Sequence, residues 1–251
     1  SIIARSIFVG LEQAVKEINA GAEALFEAGV EVVALWDNHG GGKNIDLSLL
    51  DKRIEVIVCL SGNIDEIIYL DSKISNLDFD SYLIKVNGGN ESGILKYFTY
   101  ISDKLNKKII MSSNNILDFD VVRSLSYHPN IFGYIVESND LKYLIKIASL
   151  SKEKFKIYFS NDYLILVGIS LGVEGIINVI GNAYPNLIKE IRDTSNLSLR
   201  NFMKYENLIS DINCDETVNI KYLLRIKGLI SDKTRLPLGS CKRVYKRKIE
   251  E

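Results

Sequence analysis

The 251-residue chain has 31 lysines and arginines against 32 aspartates and glutamates, and 47% of its residues are hydrophobic. This charge balance argues against a nucleic-acid-binding protein, because phosphate recognition requires a clear basic excess. Its three cysteines, Cys59, Cys214 and Cys241, show neither metal-ligand spacing nor a disulfide framework. With no signal peptide and no apolar run of about twenty residues, we expect a cytoplasmic protein with no membrane partner, no metal and no cofactor.

Short apolar runs alternate with amphipathic segments along most of the chain. The predicted strands are Ser1–Val9, Val30–Trp36, Ile54–Leu60, Ser81–Val86, Lys108–Met111, Ile131–Val136, Phe155–Phe159 and Gly175–Ile180. The segments predicted to follow them are Glu12–Ala28, a short stretch at Ile45–Arg53, Ile64–Ile74, Ser92–Leu105, Asp118–Leu125, Leu141–Leu150, Tyr163–Leu171 and Asn186–Thr194. Eight such units predict an α/β fold, the (β/α)8 TIM barrel, with a shortened second helix.

The last part of the chain has a different pattern. Leu197–Ile230 indicates helices without strands, and no linker separates this region from the preceding units. We therefore predict a barrel over residues 1–195 and a helical extension over residues 196–251 within the same structural domain. The basic run Lys242–Lys248 is expected to be a solvated tail rather than a binding arm.

The stretch Asn130–Leu141 carries the most specific resemblance. Its sequence, N-I-F-G-Y-I-V-E-S-N-D-L, resembles the sixth strand of the dihydrodipicolinate synthase / N-acetylneuraminate lyase family, N-I-V-G-I-K-E-A-S-G-D-L. With Gly133 and Asp140 matched without a gap, Ile135 takes the position of the lysine that forms a Schiff base with pyruvate in that family. A hydrocarbon cannot form an imine, so the resemblance implies that the family's lyase reaction is absent.

Further segments resemble the same family in the same order. Phe155–Pro185 is similar to I-Y-S-G-N-D…L-G-G-x-G-V-I-S-V-x-A-N-V-x-P, Asn219–Lys221 to P-x-P-V-K, and Arg235–Leu238 to R-L-P-L. The chain is therefore identified as a divergent member over essentially its whole length. This resemblance implies a TIM barrel and a homo-oligomer, or an assembly with an active relative.

Other positions that carry the reaction in the family are also replaced. The family's G-T-T-G-E segment corresponds to Asp37–Gly41, its Y-Y-N turn to Gly88–Asn90, and its Y-N-x-P-x-R-T segment to Ser112–Ile116. Because these groups are lost together with the lysine, the resemblance implies a pseudoenzyme with a residual binding or scaffolding role.

Two ionisable residues keep a catalytic alternative open. Alternation along the fourth strand turns Lys85 towards the barrel mouth, and Glu137 shares the face of Ile135. Lys85 either extends to solvent or pairs with a carboxylate such as Glu137, or it serves as the relocated amine of a lyase or aldolase that acts on a small keto acid. The glycines at 40–42 and His39 form either a phosphate-binding loop with His39 as a general base, or a flexible loop that replaces deleted structure. A phosphate-binding loop needs a helix directly after it, and the near absence of such a helix favours the flexible loop.

Four further residues are candidates for substrate binding. Three are serines at the ends of the fifth and seventh strands, Ser112, Ser113 and Ser160, which could line a small polar pocket. The fourth is Ile177 in the eighth strand, at a position that matches the family's I-Y-S-G-N-D…P segment by spacing.

Overall fold

The computed structural model describes residues 2–4, 33–37, 51–75, 77–178, 180–184, 186–187, 190–191, 203, 206–210, 212, 216–229, 231–234 and 239–250. The predicted helix Glu12–Ala28, the loop with His39 and Gly40–Gly42, and most of Ile45–Arg53 lie outside these residues. The chain divides into two compact units, residues 1–34, 43–54 and 178–251 in one and residues 35–42 and 55–177 in the other. That the C-terminal residues belong to one domain with the barrel stays a prediction.

The described strands follow the predicted order. They are β1 Ile2–Ala4, β2 Val33–Asp37, β3 Glu55–Ser61, β4 Ser81–Val86, β5 Lys108–Ser113, β6 Ile131–Val136, β7 Lys156–Phe159 and β8 Gly175–Asn178. The predicted bounds of β4 and β6 are confirmed. The predicted end of β5 at Met111 is wrong, because Ser112 and Ser113 continue the strand in register with Lys85 and Val86 of β4.

Helices follow most of these strands. The described helices are α1 Ile64–Ile74, α2 Glu91–Lys104, α3 Phe119–Leu125, α4 Leu141–Ala148, α5 Ile165–Leu171, α6 Glu216–Ile226 and α7 Arg243–Glu250, with 3-10 turns at Asp162–Leu164 and Ile180–Asn182. Asn63, Asn90, Asp118 and Asp140 cap α1 to α4 by accepting hydrogen bonds from backbone amides of the first turn. None of the described helices has the length and apolar character needed to cross a membrane.

The second unit is built on a parallel sheet. Strands β3 to β8 pair consecutively and in parallel, as expected for strands joined by helical crossovers. On β4, Tyr82 and Ile84 are fully buried, and the Tyr82 hydroxyl donates a hydrogen bond to Asp71 of α1. This face of β4 is therefore the helix-covered face, and Lys85, of opposite parity, lies on the other face.

The first unit contains the two C-terminal helices. Tyr245 of α7 packs against buried Val218 and Tyr222 of α6 and against Cys241. The Lys246 ammonium lies 4.9 Å from the centre of the Tyr222 ring. Lys242, Arg243 and Arg247 are exposed, as expected of a solvated basic run, but the segment forms a helix, and Tyr245 supplies an apolar contact with α6.

Candidate functional site

The strand register brings one row of side chains together on the face opposite Tyr82 and Ile84. The row consists of Ser61, Lys85, Ser112, Ile135, Tyr158 and Gly175, on β3 to β8. Because side chains alternate, residues two positions further along share this face at the carboxyl ends of the strands. For β4 to β8 this second row is Asn87, Asn114, Glu137, Ser160 and Ile177. In parallel α/β folds ligands bind at these strand ends, so the two rows are the candidate site.

An ion pair lies at the centre of the site. The Nζ atom of Lys85 is 3.1 Å from Oε1 and 3.5 Å from Oε2 of Glu137. The two residues are on β4 and just after β6, and Ser112 of β5 lies between them, with its Oγ 3.5 Å from Glu137 Oε1. The contact that alternation along the strands predicted between Lys85 and Glu137 is confirmed. A catalytic role for either residue stays a prediction.

The ion pair is open to solvent. The side chain of Lys85 is 29% exposed and that of Glu137 is 36% exposed. Water competes for such a pair, and an exposed ion pair contributes only about 0–1 kcal/mol to folding stability. The pair can therefore separate at small cost, which makes both charges accessible to a ligand.

Two amides extend the polar surface beside the pair. Asn114 Nδ2 donates a hydrogen bond of 2.9 Å to Asn87 Oδ1, and both residues are exposed. Together with the ion pair and Ser112 these amides form what we call the polar cluster: Lys85, Asn87, Ser112, Asn114 and Glu137. Its surface offers one positive charge, one negative charge and several neutral hydrogen-bonding groups.

Three other side chains on the same face are closely packed. Ile135 is 4% exposed, and Tyr158 and Ile177 are each 7% exposed; we call these three residues the apolar cluster. Gly133, one row below Ile135, makes this packing possible. A Cβ atom at Gly133 would lie 3.0 Å from the carbonyl oxygen of Lys156 and 3.3 Å from the Tyr158 ring. The Tyr158 ring therefore occupies space that any larger residue at 133 would take.

The three candidate serines are placed differently. Ser112 contacts Glu137, whereas Ser113 has the opposite parity and its Oγ accepts a 3.2 Å hydrogen bond from the Asn115 amide. Ser160 is half-buried at the end of β7, where its backbone amide donates to Val136 O over 3.2 Å. The substrate-binding roles assigned to Ser112, Ser113, Ser160 and Ile177 stay predictions. We did not predict Asn114 as a site residue, although its position two residues after Ser112 indicates that both side chains lie on the same face of the strand.

A half-buried tyrosine holds the loop that follows β3 next to this row. The Tyr97 hydroxyl of α2 donates a 2.8 Å hydrogen bond to the carbonyl oxygen of Gly62, the residue after Ser61. Burial, assisted by the negative charge of Glu66, raises the pKa of Tyr97 to about 12. The hydroxyl therefore stays protonated and keeps donating this bond at neutral pH.

Metal binding has no support in the part of the chain that the structure describes. Within those residues, no group of three or more histidine, cysteine, aspartate or glutamate side chains is placed to hold a metal ion. The polar groups of the two rows are one amine, one carboxylate, hydroxyls and amides.

A parallel sheet covered by helices, with polar groups at its strand ends, defines an α/β protein, and comparison with known proteins specifies the family. The model of the dihydrodipicolinate synthetase family matches residues 11–251. The chain belongs to that family. A solved dihydrodipicolinate synthase from Thermotoga maritima superposes with a TM-score of 0.83 at 17% identity, over 99% of this chain and 95% of that one.

Curated relatives match a smaller part of the sequence. The chain is 30% identical over 145 residues to the 4-hydroxy-tetrahydrodipicolinate synthase of Methanospirillum hungatei, covering 54% of this chain and 49% of that one. It is 29% identical over 113 residues to the enzyme of the same name from Macrococcus caseolyticus, covering 43% of this chain and 38% of that one. The chain thus spans half or less of the length of these two relatives.

Proposed function

We propose that this protein is a member of the dihydrodipicolinate synthetase family that has lost the Schiff-base lyase reaction and keeps a binding site at the polar cluster. One observation carries the proposal. Ile135, at the position where the resemblance places the imine-forming lysine, lies in the row at the strand ends and is 4% exposed. A buried hydrocarbon there supplies packing and no nucleophile.

The same proposal includes the complete barrel. We infer that β1 to β8 close into a (β/α)8 barrel with a shortened second helix. The parallel pairing of β3 to β8 and the likeness to the Thermotoga maritima structure support this arrangement. In such a barrel the two rows face the mouth, where every characterised reaction of this fold class takes place.

A second candidate function rests on the position of Lys85. This residue lies in the same row as Ile135, two strands away, with its amine at the carboxyl end of β4. The alternative is therefore a lyase or aldolase that forms an imine between Lys85 and a small keto acid, with Glu137 as acid and base. Attack on a carbonyl requires a free lone pair on the amine, whereas Lys85 is engaged with Glu137 in the structure.

Trapping with borohydride distinguishes the two functions. The protein is incubated with pyruvate and sodium borohydride, and its intact mass is measured. The proposed function predicts an unmodified mass. An adduct that maps to Lys85 and disappears in Lys85→Met would establish the second candidate. The Methanospirillum hungatei relative, treated in parallel, serves as the control that adducts are detected.

The assembly and location of the protein are part of the proposal. We infer a cytoplasmic homo-oligomer, or an assembly with an active relative, and no nucleic-acid or membrane partner. Family resemblance supports the assembly, and the net charge of −1 gives no basic excess for phosphate binding. Light scattering coupled to size exclusion, alone and after mixing with an active relative, measures whether either assembly forms.

A further inference from the structure

We propose that Asn87 is a site of self-modification, at which the backbone amide of Gly88 attacks the asparagine side chain and converts it to aspartate or isoaspartate. This inference goes beyond the proposed function and does not depend on it, because the reaction needs no ligand. Asn87 and Gly88 form the one Asn-Gly pair of the chain, and a second glycine, Gly89, follows them. Glycine has no Cβ atom to hinder attack by its own amide nitrogen, so this pair is the most reactive context for the step.

The reaction uses water as its only co-reactant. The Gly88 amide nitrogen gives up its proton to water or hydroxide and forms a bond to Cγ of Asn87. The C–N bond of the side-chain amide then breaks, and ammonia leaves. Because the two reacting groups belong to adjacent residues, the attack is intramolecular and is favoured by proximity. Water opens the resulting cyclic imide at either carbonyl, which gives aspartate or isoaspartate, in which the chain continues through the side-chain carboxyl.

The loop after β4 leaves both reacting groups accessible. Asn87, Gly88 and Gly89 are exposed and lie outside the strands and helices. A Cβ atom at Gly88 would meet only the Asn115 side chain within 4 Å, at a distance of 3.9 Å, so the space around the nucleophile is open. Among residues 77–178, the Gly88 amide donates no hydrogen bond to another group. Water can therefore reach this amide and remove its proton.

One hydrogen bond prepares the Asn87 side chain for attack. Asn114 Nδ2 donates to Asn87 Oδ1 over 2.9 Å. A donor on this oxygen stabilises the negative charge that the oxygen carries when the amide nitrogen adds to Cγ. The bond engages the oxygen and not the nitrogen of the Asn87 amide, so it does not hold the group that departs as ammonia.

Asn90 provides a contrast within the same loop. It is exposed like Asn87, but it is the N-cap of α2, and its Oδ1 accepts a 2.8 Å hydrogen bond from the Gly93 amide. The residue after it, Glu91, is the first residue of the helix. Attack by the Glu91 amide would require Asn90 to give up its cap and disturb the first turn. We therefore expect Asn87, and not Asn90, to react.

The modification adds a negative charge to the polar cluster. Asn87 lies two positions after Lys85, so both side chains belong to the same face of the sheet. A carboxylate at position 87 would share this face with Glu137, which contacts Lys85 at 3.1 Å. An exposed ion pair separates at small cost, so the new carboxylate can compete with Glu137 for the Lys85 amine.

Peptide mass spectrometry after ageing tests the inference. The full chain is incubated at neutral and at mildly alkaline pH and then digested with trypsin, which releases residues 86–96 with both asparagines in one peptide. Fragmentation assigns the mass gain that accompanies replacement of NH2 by OH to one asparagine or the other. We expect conversion of Asn87 at least about tenfold faster than that of Asn90. The rate should rise with pH, because the attacking amide must lose its proton.

Two variants locate the reaction at Asn87. Asn87→Gln lengthens the side chain by one methylene group, which disfavours ring closure, so the mass gain at this position should disappear. Asn87→Asp carries the product's charge from the start and serves as the reference for separating the modified protein by anion exchange. Gly88 is left unchanged in both variants, because its φ of +152° would strain any other residue.

Three results would overturn the inference. They are an unchanged mass at Asn87 after ageing, equal conversion of Asn87 and Asn90, and formation of aspartate without isoaspartate, since opening of the cyclic imide gives both. None of them bears on the borohydride adduct with pyruvate, so this inference and the proposed function fail separately.

Discussion

The polar cluster and the apolar cluster occupy the same face of one parallel sheet and have opposite characters. The ion pair of the polar cluster is about one-third exposed, whereas Ile135, Tyr158 and Ile177 of the apolar cluster are at most 7% exposed. Stability should therefore depend on the apolar cluster and ligand binding on the polar cluster. Ile135 of β6 is a packing position, and the two charges lie on β4 and just after β6.

Truncation of Ile135 should have the largest effect on folding. Ile135→Ala removes buried methyl and methylene groups from a closely packed row, so we expect the free energy of unfolding to fall by about 2–5 kcal/mol. Urea denaturation measures this loss, and Ile135→Val, with an expected loss of about 0.5–1.5 kcal/mol, provides the graded comparison. A loss as small for alanine as for valine would show that Ile135 is not a packing residue.

A methyl group at Gly133 should disturb the same cluster by overpacking. The new Cβ would lie 3.0 Å from the Lys156 carbonyl oxygen and 3.3 Å from the Tyr158 ring, so the backbone or the ring must move. We expect Gly133→Ala to lower the free energy of unfolding by about 1–3 kcal/mol. Gly239→Ala is the matched control, because a Cβ at Gly239 meets no atom within 4 Å. Equal stabilities of the two variants would contradict the packing described for Tyr158.

Alkaline pH should weaken the protein through Tyr97, next to the row at β3. The pKa of this tyrosine rises from 10.0 to about 12 on folding, so the folded state holds its proton more tightly than the unfolded state. Its contribution is complete below pH 10 and is lost as the pH rises from 10 towards 12. Urea unfolding across this range should show a decline that is shallower in Tyr97→Phe. Identical slopes in both proteins would refute this assignment.

Removal of the ion pair should have the smallest effect on folding. Lys85→Met leaves Glu137 in contact with solvent, so we expect the free energy of unfolding to change by about 1 kcal/mol or less. A loss of stability in Lys85→Met comparable to that in Ile135→Ala would remove the distinction between the two clusters.

Much of this site could be predicted from the sequence because side-chain alternation is fixed by strand geometry. Once β4 and β6 had been located in the sequence, alternation along the strands predicted that the side chains of Lys85 and Glu137 lie on the same face of the sheet. Their contact is observed. The end of β5 could not be predicted in the same way. Serine favours turns in isolation, and only pairing with β4 extends the strand through Ser113.

Long-range packing also limited the prediction at the C-terminus. The basic run Lys242–Lys248 has the composition of a solvated segment, and its helical form depends on contact between Tyr245 and Tyr222 more than twenty positions earlier. The pattern of charges within the run cannot predict a contact with a residue so far away in the sequence. The position of Asn114 beside Asn87 likewise required the register between β4 and β5.

The most direct measurement is the intact mass of the unmodified protein after reduction in the presence of pyruvate. The proposed function predicts the mass of the bare polypeptide, because it assigns Ile135 to the position of the imine-forming lysine and because the Lys85 amine is paired with Glu137. A stable mass increase located on Lys85, the lysine of this row, would contradict it.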